Sequence, residues 1–224
     1  MEPLRNIKAV TFDVGGTLID PWPSVGHVYA EIATRHGLRD LDPAKLNRQF
    51  ALAWRSKTSF DYSRGAWAEM VAKTFSHCVE PGAQVPFFDE LYERFAQPDA
   101  WRIFDDVLPT VELLSEGGLE LGLISNWDER LRPLLQRLKL DSYFRVIIIS
   151  HEIGFHKPSP VIFHEAARKF TCPASSVLHV GDGEMEDVQG ARRAGLQSVL
   201  LNRSGSAACS GVLPTLAALA ALLG

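Results

Sequence analysis

An α/β fold with a parallel sheet and an inserted helical subdomain is what this 224-residue sequence predicts, on three observations. Five short stretches rich in Val, Ile and Leu read as strands buried on both faces. Helix-period segments fill the intervals between the last four, the alternation that builds a parallel sheet covered by helices. Between Leu18 and about Asp105 the strand signals stop and helical ones replace them.

The first strand is KAVTFD (8–13). In the next segment, Val25, Val28, Tyr29 and Ile32 recur at helical spacing, and Asp42-Pro43 combines an N-cap residue with a proline in the first turn. Leu46, Phe50, Ala53 and Trp54 continue one apolar stripe, and Trp67, Met70, Val71 and Phe75 form another. Roughly 85 residues with three or four amphipathic helices reach domain size. We therefore assign 20–105 to a helical subdomain standing on a core made of 1–19 and 106–224. The remaining strands are LELGLIS (119–125), RVIIIS (145–150), VLHVGD (177–182) and QSVLLN (197–202). Helices are predicted over Pro109–Glu116, Glu129–Leu138, Pro160–Phe170 and Asp187–Ala194, with Gly117-Gly118 and Gly195 as stops. A final helix in VLPTLAALAALLG would dock through Leu216, Leu219 and Leu223.

A formal charge of −4, with Lys and Arg scattered and never in a run, leaves no electrostatic footprint for nucleic acid or an anionic membrane. Small-molecule chemistry is the expectation. The C-terminal apolar tract is far shorter than the roughly 20 residues that span a bilayer. The N-terminus lacks the apolar centre and cleavage site of a signal peptide, so a cytoplasmic chain is expected. Cys78, Cys172 and Cys209 share no metal-like spacing and read as reduced thiols. A monomer or a homodimer fits, since an apolar face of the inserted helices can support pairing.

In open parallel sheets, ligands bind beyond the carboxyl ends of the strands. At those ends stand Asp13 with Gly15-Gly16-Thr17, then Ser125-Asn126, Lys157 in GFHKPSP, and the acidic run GDGEMED. Each alone has an ordinary reading as turn, cap or solvated side chain; together on one sheet edge they suit phosphoryl transfer. Asp13 can attack phosphorus and form an aspartyl-phosphate. Asp182, with Asp187 or Glu186, supplies oxygen ligands for Mg²⁺, and the Gly15 carbonyl can complete the shell. Ser125, Asn126 and Lys157 can hold phosphate oxygens. Gly16 and Thr17 form a tight turn that lets backbone approach the anion, with the Thr hydroxyl fixing it.

These segments, in order DVGGTL, ISN, the lysine of HKPSP, and GDGEMED, resemble the four motifs of the haloacid dehalogenase-like hydrolase superfamily, across nearly the whole chain. The resemblance implies a Rossmann-like three-layer core, a helical cap closing over the site, and Mg²⁺-dependent hydrolysis of a small phosphorylated substrate. One position departs from it. Phosphatases of the superfamily carry a second Asp two residues after the nucleophile, which protonates the leaving group and then activates water; here that position is Gly15. A missing general acid and base costs about 10² to 10⁴ in rate. Two other readings stay open: a scaffold that binds phosphate without turning it over, and a relative of the dehalogenase or phosphonatase branches, which also lack that Asp. The first branch works without metal, which the crowded acidic loop disfavours; the second needs a cap lysine, and no motif selects among Lys45, Lys57 and Lys73.

Other polar and aromatic residues receive bland readings. Trp22 and Trp127 can face substrate, while Trp54, Trp67 and Trp101 read as cap core. Lys57 and Arg64 sit in a solvated stretch. His151, His156, His164 and His179 have no ligand spacing and receive no role.

Overall fold

The computed structural model describes residues 4–58, 60–78, 85–205 and 212–223. Cys209 lies outside them; Cys78 and Cys172 are free thiols. In chain order the elements are β1 (Ala9–Phe12), β2 (Ile19–Pro21), α1 (Val25–Arg35), α2 (Pro43–Arg55), α3 (Arg64–Thr74), α4 (Phe88–Arg94), β3 (Trp101–Ile103), α5 (Val107–Glu116), β4 (Glu120–Ser125), α6 (Leu131–Arg137), β5 (Val146–Ile149), α7 (Ser150–Ile153), α8 (Pro160–Phe170), β6 (Val177–Gly181), α9 (Gly190–Arg193), β7 (Gln197–Leu201), β8 (Val212–Leu213) and α10 (Ala217–Leu223). A π-helical turn, Glu184–Gln189, precedes α9. Two compact units result, Met1–Asp20 with Ile103–Gly224, and Pro21–Arg102.

The first unit holds a six-stranded parallel sheet in the order β5-β4-β1-β6-β7-β8. Every residue of β1 and β6 is buried, which is why their sequences are mostly apolar without a polar face, Thr11 and His179 being the exceptions. Helix α8 packs on β4 and β5, and α5 packs on β4 and α10. The proline of the Ser159-Pro160 start lies in the first turn of α8, whose N-cap Ser159 hydroxyl accepts from Val161 N–H. Its buried stripe of Ile162, Phe163, Ala166 and Phe170 meets Ile124, Val146 and Ile148 of the sheet. The short strands β2 and β3 pair separately. Strands β2 and β3 and helix α7 were not expected, and two further elements differ in kind. The C-terminal apolar tract begins as edge strand β8 before Pro214, and the helix expected over Asp187–Ala194 is the π turn followed by α9.

Arg203 ties distant parts of this unit together. Its guanidinium donates to both Asp106 carboxylate oxygens at 2.9 and 3.0 Å and to the Thr17 carbonyl at 2.8 Å. Asp106 also accepts from Leu216 N–H at 2.7 Å. The turn after β1 is thereby fastened to the start of α5 and the approach to α10.

The second unit is helical. Tyr29 stacks on Phe75 with centroids 5.6 Å apart, and Val28, Ile32, Leu46, Val71, Phe87 and Leu91 fill the space around them. Trp54 stacks on Trp67, both half-buried, with Lys57 Nζ 3.7 Å from the Trp54 ring centroid. Arg64 opens α3 and pairs with Asp89 at 2.9 Å. Asn47 of α2 holds the start of α1: its Oδ1 accepts from Gly26 N–H at 2.6 Å and its Nδ2 donates to the Ser24 hydroxyl at 2.8 Å. Among the described residues no helix is long and apolar enough to cross a membrane. Because Asn47 satisfies a backbone donor of the first turn, Asn47→Ala is expected to cost about 1–3 kcal/mol of stability, read from urea unfolding followed by tryptophan fluorescence. An unchanged midpoint would refute that role.

Candidate active site

The register of the sheet decides what meets at its edge. Phe12 of β1 lies opposite Leu123 of β4 and Val180 of β6, so Asp13, Ser125 and Asp182 emerge within a residue or so of one another. The chain runs from β1 to β4 and β5 on one side, then returns across β1 to β6. That reversal is the crevice where ligands of open α/β sheets bind.

Lys157 lies at the centre. Its ammonium, almost fully buried, donates to Asp13 Oδ1 at 2.6 Å and to Asp187 Oδ1 at 2.5 Å. Asp13 Oδ1 also accepts from the Ser125 hydroxyl at 3.3 Å. Asn126 fixes the lysine from its backbone side: the amide oxygen accepts from Lys157 N–H at 2.7 Å and the amide nitrogen donates to the Lys157 carbonyl at 3.0 Å. The side chain assigned from sequence to phosphate is thus engaged as a clamp on the loop that carries Lys157.

Asp187 reaches this centre because two neighbours lack side chains. A Cβ on Gly181 would stand 2.3 Å from Asp187 Cγ, and one on Gly183 would stand 2.9 Å from its Oδ2. The carboxylate lies in that space, and its Oδ2 accepts from Gly183 N–H at 2.8 Å. The π turn carries Asp187 inward. Glu186, assigned with it as a metal ligand, lies outside the group formed by Asp13, Asp182 and Asp187, because adjacent side chains on a helical turn point in different directions and Asp187 is the one directed inward. His179, assigned no role, is fully buried and within hydrogen-bond reach of Asp187 Oδ1 through Nε2, at 3.0 Å. His164 instead contacts the Ala194 carbonyl at 3.0 Å.

The turn after Asp13 also differs from expectation. Gly16 has φ +78°, a conformation that side-chain-bearing residues rarely adopt, and an added Cβ would lie 2.5 Å from Asp182 Oδ2, so that carboxylate would have to move to admit one. Its N–H, however, donates to the Ile19 carbonyl at 2.9 Å. The Thr17 hydroxyl is fully buried with no hydrogen-bond partner among the described residues; the turn is closed by the Leu18 and Ile19 N–H groups, which donate to the Val14 carbonyl at 2.8 and 3.0 Å, and is braced by Arg203 through the Thr17 carbonyl. Neither donor is disposed as the sequence led us to expect. At Gly15 an added Cβ would sit 3.3 Å from Trp127 Cζ3. The indole therefore covers the position where a second carboxylate would start, and its backbone is pinned by Ser150, whose hydroxyl accepts from Trp127 N–H and donates to its carbonyl, both at 3.0 Å.

This crowding sets the electrostatics. Burial alone would lower the Lys157 pKa, but Asp13 and Asp187 outweigh it and hold the ammonium above its ordinary value. Burial would raise Asp187, yet Lys157 and His179 keep it well below the ordinary carboxylate range. Burial pushes the Asp13 carboxyl up, with Lys157 opposing and the Asp187 charge adding. Asp182 is pushed up to about 7 by partial desolvation and then by the charges of Asp13 and Asp187. Its side chain is nonetheless open to solvent, so the like-charge repulsion is the firmer part of that shift. One oxygen from each of Asp13, Asp182 and Asp187 lies within 4.8 Å of the others. Once all three carboxyls are ionised, as a bound cation would favour, they leave two negative charges against the one ammonium, matching a divalent cation, and an all-oxygen donor set suits a hard one such as Mg²⁺.

Comparison with known proteins agrees with this geometry. A family model described as haloacid dehalogenase-like hydrolase matches residues 7–195. Haloacid dehalogenase-like hydrolase domain-containing protein 3 of Danio rerio is 34% identical over 88% of this chain and 86% of its own. Glyceraldehyde 3-phosphate phosphatase of Methanopyrus kandleri is 30% identical over 88% of this chain and 84% of its own. Among solved structures, a HAD phosphatase from Thermococcus onnurineus superposes with a TM-score of 0.68 at 25% identity, covering 97% of this chain and 98% of that one. With the parallel sheet, the reversal at β1 and the strand-end residues all accounted for, the chain belongs to the haloacid dehalogenase-like hydrolase family.

Proposed function

We propose that the protein is a Mg²⁺-dependent phosphatase of a small phosphorylated metabolite, working through an aspartyl-phosphate on Asp13. The supporting observation is the Lys157 ammonium held between Asp13 and Asp187, beside the solvent-open Asp182. Its similarity to a glyceraldehyde 3-phosphate phosphatase favours a phosphate ester as substrate. Pro21–Arg102 is read as the cap that carries specificity.

In this reading Oδ1 of Asp13 is tethered by Lys157 and Ser125, and Oδ2 attacks phosphorus. The bond from phosphorus to the leaving oxygen breaks as the bond to Asp13 forms. Water then attacks the aspartyl-phosphate, releasing orthophosphate and the free carboxylate. Lys157 keeps Asp13 ionised and offers positive charge to the transferring group. Mg²⁺, held by Asp13, Asp182 and the Gly15 carbonyl with Asp187 behind them, would supply charge neutralisation for an anion attacking an anion. With Gly15 in place of an acid, the leaving oxygen takes its proton from water, so good leaving groups depart fastest.

Asp13→Asn is expected to reduce Mg²⁺-dependent hydrolysis of p-nitrophenyl phosphate by at least about 10³-fold; a surviving rate within tenfold of wild type would remove Asp13 as nucleophile. Wild type should hydrolyse aryl phosphates well and alkyl phosphates weakly. Gly15→Asp should narrow that ratio by about tenfold or more, and more so combined with Trp127→Ala, which clears the ring from the new side chain. An unaltered ratio in both variants would show that no acid was missing. The raised Asp182 pKa also fixes a sign: this group stabilises the metal-free fold below about pH 4, and that contribution is lost as pH rises towards 7. Mg²⁺ requires the ionised form, so its elevation of Tm should be small at about pH 5.5 and large at about pH 8. Asp182→Asn should flatten that dependence; a pH-independent elevation in wild type contradicts the assignment.

A further inference from the structure

Asp187 holds Lys157, and the structure also shows what holds Asp187. Its Oδ1 receives Lys157 Nζ at 2.5 Å and lies 3.0 Å from His179 Nε2, while Oδ2 takes the Gly183 N–H. His179 occupies the middle of β6, directly opposite Thr11 of β1, and the Thr11 hydroxyl lies 2.9 Å from His179 Nδ1. Phe163 closes the ring's flank edge-on, with centroids 5.2 Å apart. An unbroken file, Thr11–His179–Asp187–Lys157–Asp13, thus runs through buried residues to the proposed nucleophile.

Which groups can donate decides the direction of each hydrogen bond. An ionised carboxylate only accepts, so the ring nitrogen facing Asp187 must carry the proton. In a ring with one proton, Nδ1 is then an acceptor, and the Thr11 hydroxyl is the donor within reach, closer to Nδ1 at 2.9 Å than to its other acceptor, the Leu178 carbonyl, at 3.4 Å. The flank presented by Phe163 is apolar and makes no demand for a polar ring at this position. Histidine adds a donor aimed at the same oxygen that receives the lysine.

We propose that His179 is a positioning residue: its Nε2–H sets the orientation of the Asp187 carboxylate and thereby the place of the Lys157 ammonium, while Thr11 fixes the imidazole tautomer. Its kinetic consequence rests on the phosphatase reading above. Partners that orient an active-site carboxylate from behind typically matter by about 10- to 100-fold.

The test uses the full chain with Mg²⁺ and p-nitrophenyl phosphate. His179→Leu should lower kcat by about 10- to 100-fold with KM moved less than about threefold. His179→Gln, whose amide N–H can replace the Nε2 donor, should recover most of that loss, and Thr11→Val should fall between. Nitrogen-15 spectra of the imidazole should show Nε2 protonated and Nδ1 accepting in wild type, with the Nδ1 signal displaced in Thr11→Val. Wild-type kcat in His179→Leu, no rescue by Gln, or protonation at Nδ1 would overturn the proposal. Should His179→Leu fail to fold, the Gln and Val variants and the wild-type spectrum still decide. If wild type turns over no aryl phosphate, the phosphatase reading falls, while the imidazole spectrum continues to test the hydrogen-bond assignment alone.

Discussion

A single buried ammonium sets the terms for everything around it. Removing the Lys157 charge from water costs several kcal/mol unless close, well-oriented anions compensate, and two carboxylates do so at hydrogen-bond distance. Each of those carboxylates in turn needs the lysine, since Asp13 and Asp187 without it would be like charges in a poorly solvated space. The three groups come from three separate stretches of chain, so the ion triad forms only once β1, the loop before α8 and the turn after β6 have all found their places. Fold and site are therefore one cooperative object here.

Small residues make that closeness possible. Gly181 and Gly183 vacate the volume that Asp187 fills, and Gly16 vacates the volume over which Asp182 leans. Gly15 belongs to the same series with a different neighbour, an aromatic ring in place of a carboxylate. The first and second strand-end loops are thus matched to each other: where a family phosphatase would carry an acid, this chain has a flat apolar surface pinned by Ser150.

Much of this was legible in the sequence, for identifiable reasons. Buried parallel strands run largely apolar, so KAVTFD and VLHVGD stand out, and the residue ending each is placed by the strand itself. Caps such as Asp42 and Ser159 act on their own helices and are equally local. What escaped is tertiary. Asn126 and Lys157 stand 31 positions apart, and nothing near Asn126 shows that its amide reads a distant backbone. His179 looks like any polar interruption of a strand until its cross-strand partner Thr11 is known. The choice of Asp187 over Glu186 depends on one extra residue of helical winding, which apolar periodicity does not register. Strands β2 and β3, three residues each, are too short to leave a pattern.

The Arg203 latch changes where the functional unit ends. The family match stops at residue 195, yet the peptide carbonyl of Thr17, four positions past Asp13, is gripped by a guanidinium eight positions beyond that limit. A fragment trimmed to the recognisable motifs would retain every proposed reactive group and lose the fastening that shapes the loop beside them. Arg203 thus makes the segment past residue 195 part of the scaffold of the turn that carries the proposed nucleophile.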